Sequence, residues 1–344
     1  MSSEPEDPFG RRLQREGSDD ESENDILRDA RSDDQRSLDL LGAFAKAHAV
    51  LLALISNTRD GDTLIVATDA NGFPVAQRVV RRPEGLPHAI VVGRHNRCTL
   101  NIPNDNRVSL RHILLTAWPG QGALRLRGYD LGGRAGIVLA DGKRVPGFSA
   151  LGHVALSFGK TAMFVLPGGK AGLDLLAGSD DDAFKRLTGL DSRGGGMRLA
   201  LSAMAEPSVA QIGGYRPVDV EAKPLSRGAL RLRSLHARTN SKGESAKELD
   251  VDSEQLGRGL LFGRYSDRCS LAGSGRNLSR VHALVTEEGP TSLLVYDLAS
   301  TNGVRPGHET DGPSHPVVRL REGEPVMLGH FELSWLPPAG VRVH

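Results

Sequence analysis

The side chains best suited to chemistry lie on three short stretches in the last third of the chain, and together they suit an anion. Arg264 follows a glycine at the end of a β-rich run, Ser279 lies in a later loop, and Thr301 and Asn302 occupy a turn beyond it. A phosphate monoester carries about −1.5 to −2 charges and is bound best by a guanidinium fork, hydroxyl donors and backbone N–H groups on rigid strands. The amide of Asn302 can both donate to and accept from a peptide main chain. These residue types predict a site for a phosphorylated peptide.

The module that carries these stretches occurs twice. VVGRHNRCTL at 91–100 matches LFGRYSDRCSL at 261–271, and YDLGGRAG at 129–136 aligns with YDLASTNG at 296–303. Three pairs of residues recur at the same internal spacing: Arg94 and Arg264, Ser109 and Ser279, and His112 and His282. Chance would rarely preserve this set, so we interpret the chain as a tandem repeat.

At these residues the chain resembles the forkhead-associated (FHA) domain, a β-sandwich that binds phosphothreonine peptides through loops at one end. The second copy carries the whole motif: Gly263-Arg264, Ser279-Arg280-Val281-His282 and Ser300-Thr301-Asn302-Gly303. The resemblance implies that Arg264 and Ser279 contact the phosphate, with assistance from Thr301.

The same resemblance assigns the remaining motif residues. Arg280 adds charge or contacts the peptide, and Asn302 holds the peptide main chain. Gly263, His282 and Gly303 are then structural, and His282 fixes the serine loop without acting as a general base.

The first copy departs from this pattern. Gly133, Arg134 and Ala135 stand where the second copy has Ser300, Thr301 and Asn302, so the amide that would hold a peptide is missing. Two alternatives stay open. Either Arg94, Ser109 and Arg134 form a weak second phosphate site, or this copy is a phosphate-independent docking or dimerisation module. The missing amide favours the second, and His112 is structural in both.

The elements that must position these residues are predicted from periodicity and composition. Short β-rich runs separated by turn residues predict an all-β fold of two FHA-like β-sandwich domains, with one N-terminal helix and a partly disordered linker. Ser37 is a candidate cap for the helix, whose apolar stripe is expected to dock on a neighbouring domain or a partner. The expected segments are a disordered acidic tail at 1–37, an amphipathic helix at 38–58, a degenerate FHA-like domain at 60–168, a linker at 169–225, and an FHA domain at 226–338.

Composition narrows the classes of function. The 43 Lys and Arg residues balance 42 Asp and Glu residues, so the sequence predicts neither a nucleic-acid nor a membrane partner. Two cysteines, Cys98 and Cys269, supply neither a disulfide framework nor a zinc site, and we expect both in the core. Gly159-Lys160-Thr161 lacks the glycine that a P-loop requires. We therefore expect no metal, no cofactor and no catalysis.

The sequence predicts an adaptor in Ser/Thr kinase signalling that binds phosphothreonine peptides through its C-terminal FHA domain. Its partner is expected to be a phosphothreonine-containing protein, either a Ser/Thr kinase or a kinase substrate. The absence of a secretory signal and of a long apolar stretch predicts a cytoplasmic location. The alternative is a phosphate-independent structural or assembly protein that uses FHA-like domains for recruitment or homo-oligomerisation.

Overall fold

The structure is a computed structural model of the chain. It describes residues 38–120, 123–189, 210–211, 226–235, 246–273, 277–289, 291–309 and 312–336, with the backbone alone at 210–211 and 226–227. The predicted disordered tail at 1–37 and most of the predicted linker lie outside the described residues.

The first half of the chain folds into a β-sandwich of two six-stranded sheets, with orders β2-β1-β11-β10-β7-β8 and β12-β9-β6-β5-β3-β4. The strands are β1 Thr63–Thr68, β2 Pro74–Val80, β3 His88–Gly93, β4 Leu100–Asn101, β5 Ile113–Trp118, β6 Arg125–Asp130, β7 Ile137–Leu139, β8 Arg144–Val145, β9 Gly147–Leu151, β10 Val154–Phe158, β11 Thr161–Pro167 and β12 Ala210–Gln211. Side chains from both sheets, including Ile113, Phe148 and Phe158, fill one buried core.

The second half forms a sandwich of two five-stranded sheets, with orders β14-β13-β22-β21-β19 and β16-β15-β17-β18-β20. The strands are β13 Ser226–Ser234, β14 Lys247–Asp252, β15 Leu260–Gly263, β16 Leu271–Ala272, β17 Ala283–Gly289, β18 Ser292–Asp297, β19 Val304–Pro306, β20 Val317–Arg321, β21 Val326–Leu328 and β22 Phe331–Leu336. Apart from the short strands β8 and β12, the two sandwiches have the same strand order. The predicted tandem of two β-sandwiches is confirmed.

Burial along the strands shows which outer sheet faces are covered. β22 alternates buried and partly exposed residues, as expected for a sheet with one face toward water. β10 is buried throughout and β5 nearly so, because both faces of each strand are covered. Helices cover the outer face at β10, and the second sandwich covers the outer face at β5.

Helices cover the first sheet of the first sandwich: α1 Leu40–Ser56, α2 Gly169–Leu176 and α3 Asp180–Thr188. Phe44 of α1 is fully buried, and its ring centroid lies 5.7 Å from that of Phe164 and 5.4 Å from that of Phe184. His48 of α1 donates from Nε2 to the Leu176 carbonyl at 2.8 Å. The predicted amphipathic helix therefore docks on its own chain. A fourth short helix, α4 Ser253–Arg258, precedes β15.

Two boundaries differ from the sequence-based expectations. Asp39 caps α1 by accepting the Gly42 N–H at 3.0 Å, so the helix begins two residues beyond the predicted start. Residues 169–188, predicted as part of the linker, form α2 and α3. Ser179 caps α3, and apolar residues of both helices are buried against α1, a surface that exists only in the folded protein. Folded structure therefore continues through residue 188, beyond the predicted end of the first domain at residue 168.

The second sheets of the two sandwiches pack against each other through a shared apolar cluster. It contains three pairs of residues that are equivalent in the repeat: Leu114 and Leu284, Tyr129 and Tyr296, and Leu131 and Leu298. The two copies thus use the same face to contact each other, as in a pseudo-twofold dimer within one chain. The described residues of both sandwiches belong to one compact unit. None of the described helices is long and apolar enough to cross a membrane.

Candidate functional site

The first two motif stretches of the second copy lie side by side. The Arg264 N–H donates to the Ser279 carbonyl at 2.9 Å, and the Tyr265 N–H donates to the Arg280 carbonyl at 3.0 Å. A Cβ at Gly263 would overlap the Arg280 carbonyl oxygen. Only glycine therefore lets the end of β15 approach the serine loop this closely.

The third stretch reaches the same edge of the sandwich. The Thr301 N–H donates to Ser279 Oγ at 3.1 Å, and Asn302 donates from Nδ2 to the Asn277 carbonyl at 2.7 Å. The structure therefore brings Arg264, Ser279, Thr301 and Asn302 together at one end of the second sandwich. Arg264 and Thr301 are exposed. Within the described part of the chain, no hydrogen bond or ion pair engages the Arg264 guanidinium.

His282 connects the serine loop to the third stretch from below. Its Nδ1 accepts the Ser279 N–H at 3.2 Å, and its Nε2 donates to the Gly303 carbonyl at 3.0 Å. These bonds require the neutral ring with its proton on Nε2, and burial lowers the pKa of His282, which favours that form. Gly303 has a φ of 70°, a conformation that favours glycine.

Arg280 is exposed beside Ser279. The structure therefore places it at the rim of the candidate site. Among the described residues, no group of three or more His, Cys, Asp or Glu side chains could hold a metal ion.

The first copy repeats this backbone frame. The Arg94 N–H donates to the Ser109 carbonyl at 3.1 Å, and His112 joins the Ser109 N–H to the Gly136 carbonyl, at 3.1 and 3.2 Å. Arg94, however, donates from Nε to the Val108 carbonyl at 2.5 Å. Its guanidinium thus has a main-chain partner, unlike that of Arg264.

The third stretch of the first copy is held from within its own sandwich. Arg144 donates from Nη2 to the Gly133 carbonyl at 3.3 Å and to the Arg134 carbonyl at 2.5 Å. The Arg134 side chain is exposed at the rim. Of the predicted second-site residues, the structure brings Arg94 and Ser109 together, while residues 133–135 supply no side-chain hydroxyl or amide.

Two residues near the second-copy site, Arg97 and Arg111, were not predicted from the sequence. Both belong to the first sandwich, yet their guanidinium groups donate to main-chain carbonyls at 298–301. One signal was present: Arg111 stands where the second copy has Val281. An arginine at the position of a buried valine indicates a polar partner across an interface.

Both cysteines are buried and free. Cys98 Sγ lies 3.2 Å from the Leu110 carbonyl, and Cys269 Sγ lies 3.4 Å from the Arg280 carbonyl. Burial raises the pKa of each thiol to about 11, so both stay protonated near neutral pH. They act as small packing residues beneath the Gly-Arg loops.

The second sandwich matches the model of a known protein family. Residues 257–329 match the family model described as the FHA domain. The match runs from the end of α4 to Gly329 and includes all three motif stretches. The chain therefore carries an FHA domain in its second sandwich, and the equivalent sandwich before it fits a tandem arrangement. Among curated proteins, no relative matches the chain.

Solved structures similar to this chain include three FHA-containing or phosphopeptide-bound proteins. The FHA domain of CT664 from Chlamydia trachomatis is 24% identical over 32% of this chain and 99% of its own, with a TM-score of 0.24. Mycobacterium tuberculosis EmbR, in complex with a low-affinity phosphopeptide, is 20% identical over 34% of this chain and 26% of its own, with a TM-score of 0.24. The FHA domain of an Arabidopsis thaliana hypothetical protein is 18% identical over 37% of this chain and 100% of its own, with a TM-score of 0.26.

Proposed function

We propose that the chain is a phosphothreonine-peptide-binding adaptor and that its second sandwich binds the phosphate. One observation carries the proposal: the Thr301 N–H donates to Ser279 Oγ at 3.1 Å. This bond joins two hydroxyl-bearing loops directly beside the strand end that presents Arg264. A guanidinium and two hydroxyls at one edge supply the donors that a phosphate dianion requires.

Each donor has a distinct part in this proposal. Arg264 presents its exposed guanidinium to two phosphate oxygens. Because Ser279 Oγ accepts from Thr301, its own proton is left to donate to the phosphate. The Thr301 hydroxyl adds a third donor, and Arg280 adds positive charge at the rim.

Asn302 supports recognition of the peptide around the phosphate. Its Nδ2 donates to Asn277 at 2.7 Å, which fixes the orientation of the amide group. The amide oxygen can then accept an N–H from the peptide main chain. An amide fixed before binding loses less conformational entropy when the peptide arrives.

In our proposal the adaptor acts by binding alone. Its partner is a phosphothreonine-containing protein of Ser/Thr kinase signalling, either a kinase or a kinase substrate. Binding takes place in the cytoplasm. His282 supports a binding role, because main-chain groups occupy both ring nitrogens and leave neither to act as a base. Cys98 and Cys269, with raised pKa values, are not activated nucleophiles.

A second role applies to the first sandwich, which we propose to be a phosphate-independent packing module. The Nε of Arg94 is bonded to a main-chain carbonyl, and Arg144 occupies the carbonyls of residues 133 and 134. Its outer β5 face is buried against the second sandwich. These contacts favour packing over a second phosphate site.

Calorimetry on the full chain tests the proposal with a degenerate phosphothreonine peptide library and the same library unphosphorylated. We expect binding of the phosphorylated library only, with one site per chain. Arg264→Ala removes charge-assisted hydrogen bonds of about 1.5 to 3 kcal/mol each, so affinity should fall at least about tenfold.

Arg233→Ala is the matched control, because Arg233 is exposed on the other sheet and pairs with Glu332. It should leave phosphopeptide affinity unchanged. Equal affinity for both libraries would contradict the proposed function. Two phosphate-dependent sites per chain, one of them lost in Arg94→Ala, would restore the weak second site.

A further inference from the structure

The loop that presents Thr301 and Asn302 is held by the other sandwich. Arg111 donates from Nε to the Leu298 carbonyl and from Nη2 to the Ala299 carbonyl, the latter at 2.7 Å. Arg97 donates from Nη1 to the Ser300 and Thr301 carbonyls, both at 3.2 Å. Two guanidinium groups of the first copy therefore bond four successive carbonyls of the second. We call residues 298–302 the presenting loop.

The presenting loop has a backbone conformation that needs such support. Ala299 has a φ of 54°, and it is the only non-glycine residue with a positive φ in the part of the chain described. The equivalent residue of the first copy is Gly132, with a φ of 80°. An alanine in this left-handed region is unfavourable and persists only when its surroundings fix it. The bond from Arg111 to the Ala299 carbonyl is one such restraint.

Across the pseudo-twofold interface, arginines of the first copy bond the loop of the second copy, and the described contacts include no equivalent bonds from the second copy to the first. Val281 occupies the position equivalent to Arg111 and cannot donate to the first copy. Arg268, equivalent to Arg97, stacks on Tyr265 at 5.8 Å, and among the described contacts it donates to no carbonyl of the first copy. The first copy instead bonds its own loop through Arg144.

We propose that Arg111 and Arg97 are positioning residues for phosphopeptide binding, and that the first sandwich holds the presenting loop in its binding conformation. The inference rests on the proposed function. Thr301 and Asn302 follow the strained Ala299 by two and three residues, so freedom at Ala299 displaces both. A loop fixed before binding has less entropy to lose, which raises affinity without any contact between the first sandwich and the phosphate.

Amide hydrogen exchange on the full chain without peptide tests the restraint directly. The Ser300, Thr301 and Gly303 amides are bonded to Asp297 Oδ1, Ser279 Oγ and Ser300 Oγ, respectively. In Arg111→Ala we expect these amides to exchange at least about tenfold faster, because the loop opens more often. Arg144→Ala is the matched control: it also removes two carbonyl bonds, but from the first copy, and should leave these amides unchanged. Unchanged exchange in Arg111→Ala would overturn the inference.

Phosphopeptide affinity supplies the second readout. We expect about tenfold weaker binding in Arg111→Ala, about threefold weaker binding in Arg97→Ala, and an intermediate loss in Arg111→Lys, because one ammonium can hold only part of the fork's bonds. Arg97 is exposed, so its variant leaves the packed interface intact if Arg111→Ala fails to fold.

The two proposals fail in different ways. If Arg264→Ala abolishes binding while both Arg111→Ala and Arg97→Ala bind as the parent does, the positioning inference is overturned and the proposed function stands. If the parent chain binds no phosphopeptide, the proposed function is contradicted. The exchange data then decide by themselves whether the first sandwich restrains the presenting loop.

Discussion

The two sandwiches share a backbone frame but differ in what surrounds them. In both, a glycine ends the third strand, the following arginine N–H bonds the serine carbonyl, and a buried histidine joins two loops. In the first, helices cover one outer face and the second sandwich covers the other. In the second, the outer face at β22 remains partly exposed. The frame is therefore independent of the side chains that we propose to bind the phosphopeptide.

Motif residues that are present in both copies support the fold, and those present in one copy do not. His112 and His282 make the same two main-chain bonds, and Gly93 and Gly263 both allow close passage of a neighbouring carbonyl. These residues persist in both copies, whereas the hydroxyl and amide of Thr301 and Asn302 are found in the second copy alone. The first copy lacks the side-chain groups that we propose to bind the phosphopeptide, and it is still a well-packed sandwich.

The largest expected effect tests the helical cover that distinguishes the first sandwich. Phe44→Ala removes a fully buried ring that contacts Phe164 and Phe184. We expect the free energy of unfolding of the first sandwich to fall by about 3–5 kcal/mol, because the change leaves a cavity between α1 and the sheet. Urea denaturation measures this, with Trp118 fluorescence as the reporter in a Trp335→Phe background.

Leu41→Ala is the control on the same helix, because Leu41 is 40% exposed. It should cost far less than Phe44→Ala. Equal losses from the two variants would mean that α1 does not pack on the sheet as described. Trp335 fluorescence in a Trp118→Phe background reports whether the second sandwich keeps its stability.

A smaller effect is expected from restoring the motif serine to the first copy. A Cβ at Gly133 would overlap the His112 ring, so Gly133→Ser should destabilise the chain by about 1–3 kcal/mol through overpacking. Ala135→Asn, two residues later, is the control and should change stability much less. The same urea titration measures both. If Gly133→Ser left the free energy of unfolding unchanged, the equivalent segments 133–136 and 300–303 would be interchangeable.

The next effect concerns binding by the second copy. Asn302→Ala should weaken phosphopeptide binding about tenfold, equivalent to about 1.4 kcal/mol, because the peptide main chain loses a hydrogen-bonding partner. The reciprocal change, Ala135→Asn, should add no second binding site, since Arg144 still holds the neighbouring carbonyls. Calorimetric stoichiometry measures both. A second site in Ala135→Asn would show that the missing amide alone separates the copies.

The repeat could be predicted from sequence because its frame depends on residue types that few others can replace. Gly263 must lack a Cβ and His282 must bond two main-chain groups, so these residues recur at fixed spacing. Helices α2 and α3 were missed because their glycines and acidic residues resemble a linker, and their apolar side chains are buried only after α1 docks. The bonds from Arg97 and Arg111 depend on how two folded faces meet, which periodicity within one copy does not specify.

The smallest effect that we expect near neutral pH is a fall in the free energy of unfolding as the solution becomes more acidic. Burial lowers the pKa of His95, His112 and His153 in the first sandwich, and of His282 in the second. As pH falls through the ordinary value of about 6.5, these histidines take up protons in the unfolded chain but not in the folded one. The contribution of these histidines to the free energy of unfolding is therefore fully present above that pH. It is lost progressively as the pH falls below that value.

Protonation of His112 or His282 would also place a proton on Nδ1, opposite the serine N–H that it now accepts. Since three of these histidines lie in the first sandwich and one in the second, Trp118 should report a larger loss of urea resistance between pH 7 and 5 than Trp335. The single-tryptophan variants allow both to be measured under the same conditions. An equal loss at both tryptophans would mean that the two sandwiches unfold as one unit. The interface between them would then contribute more to the free energy of unfolding than the helices packed on the first sandwich or the histidine-bonded loops do.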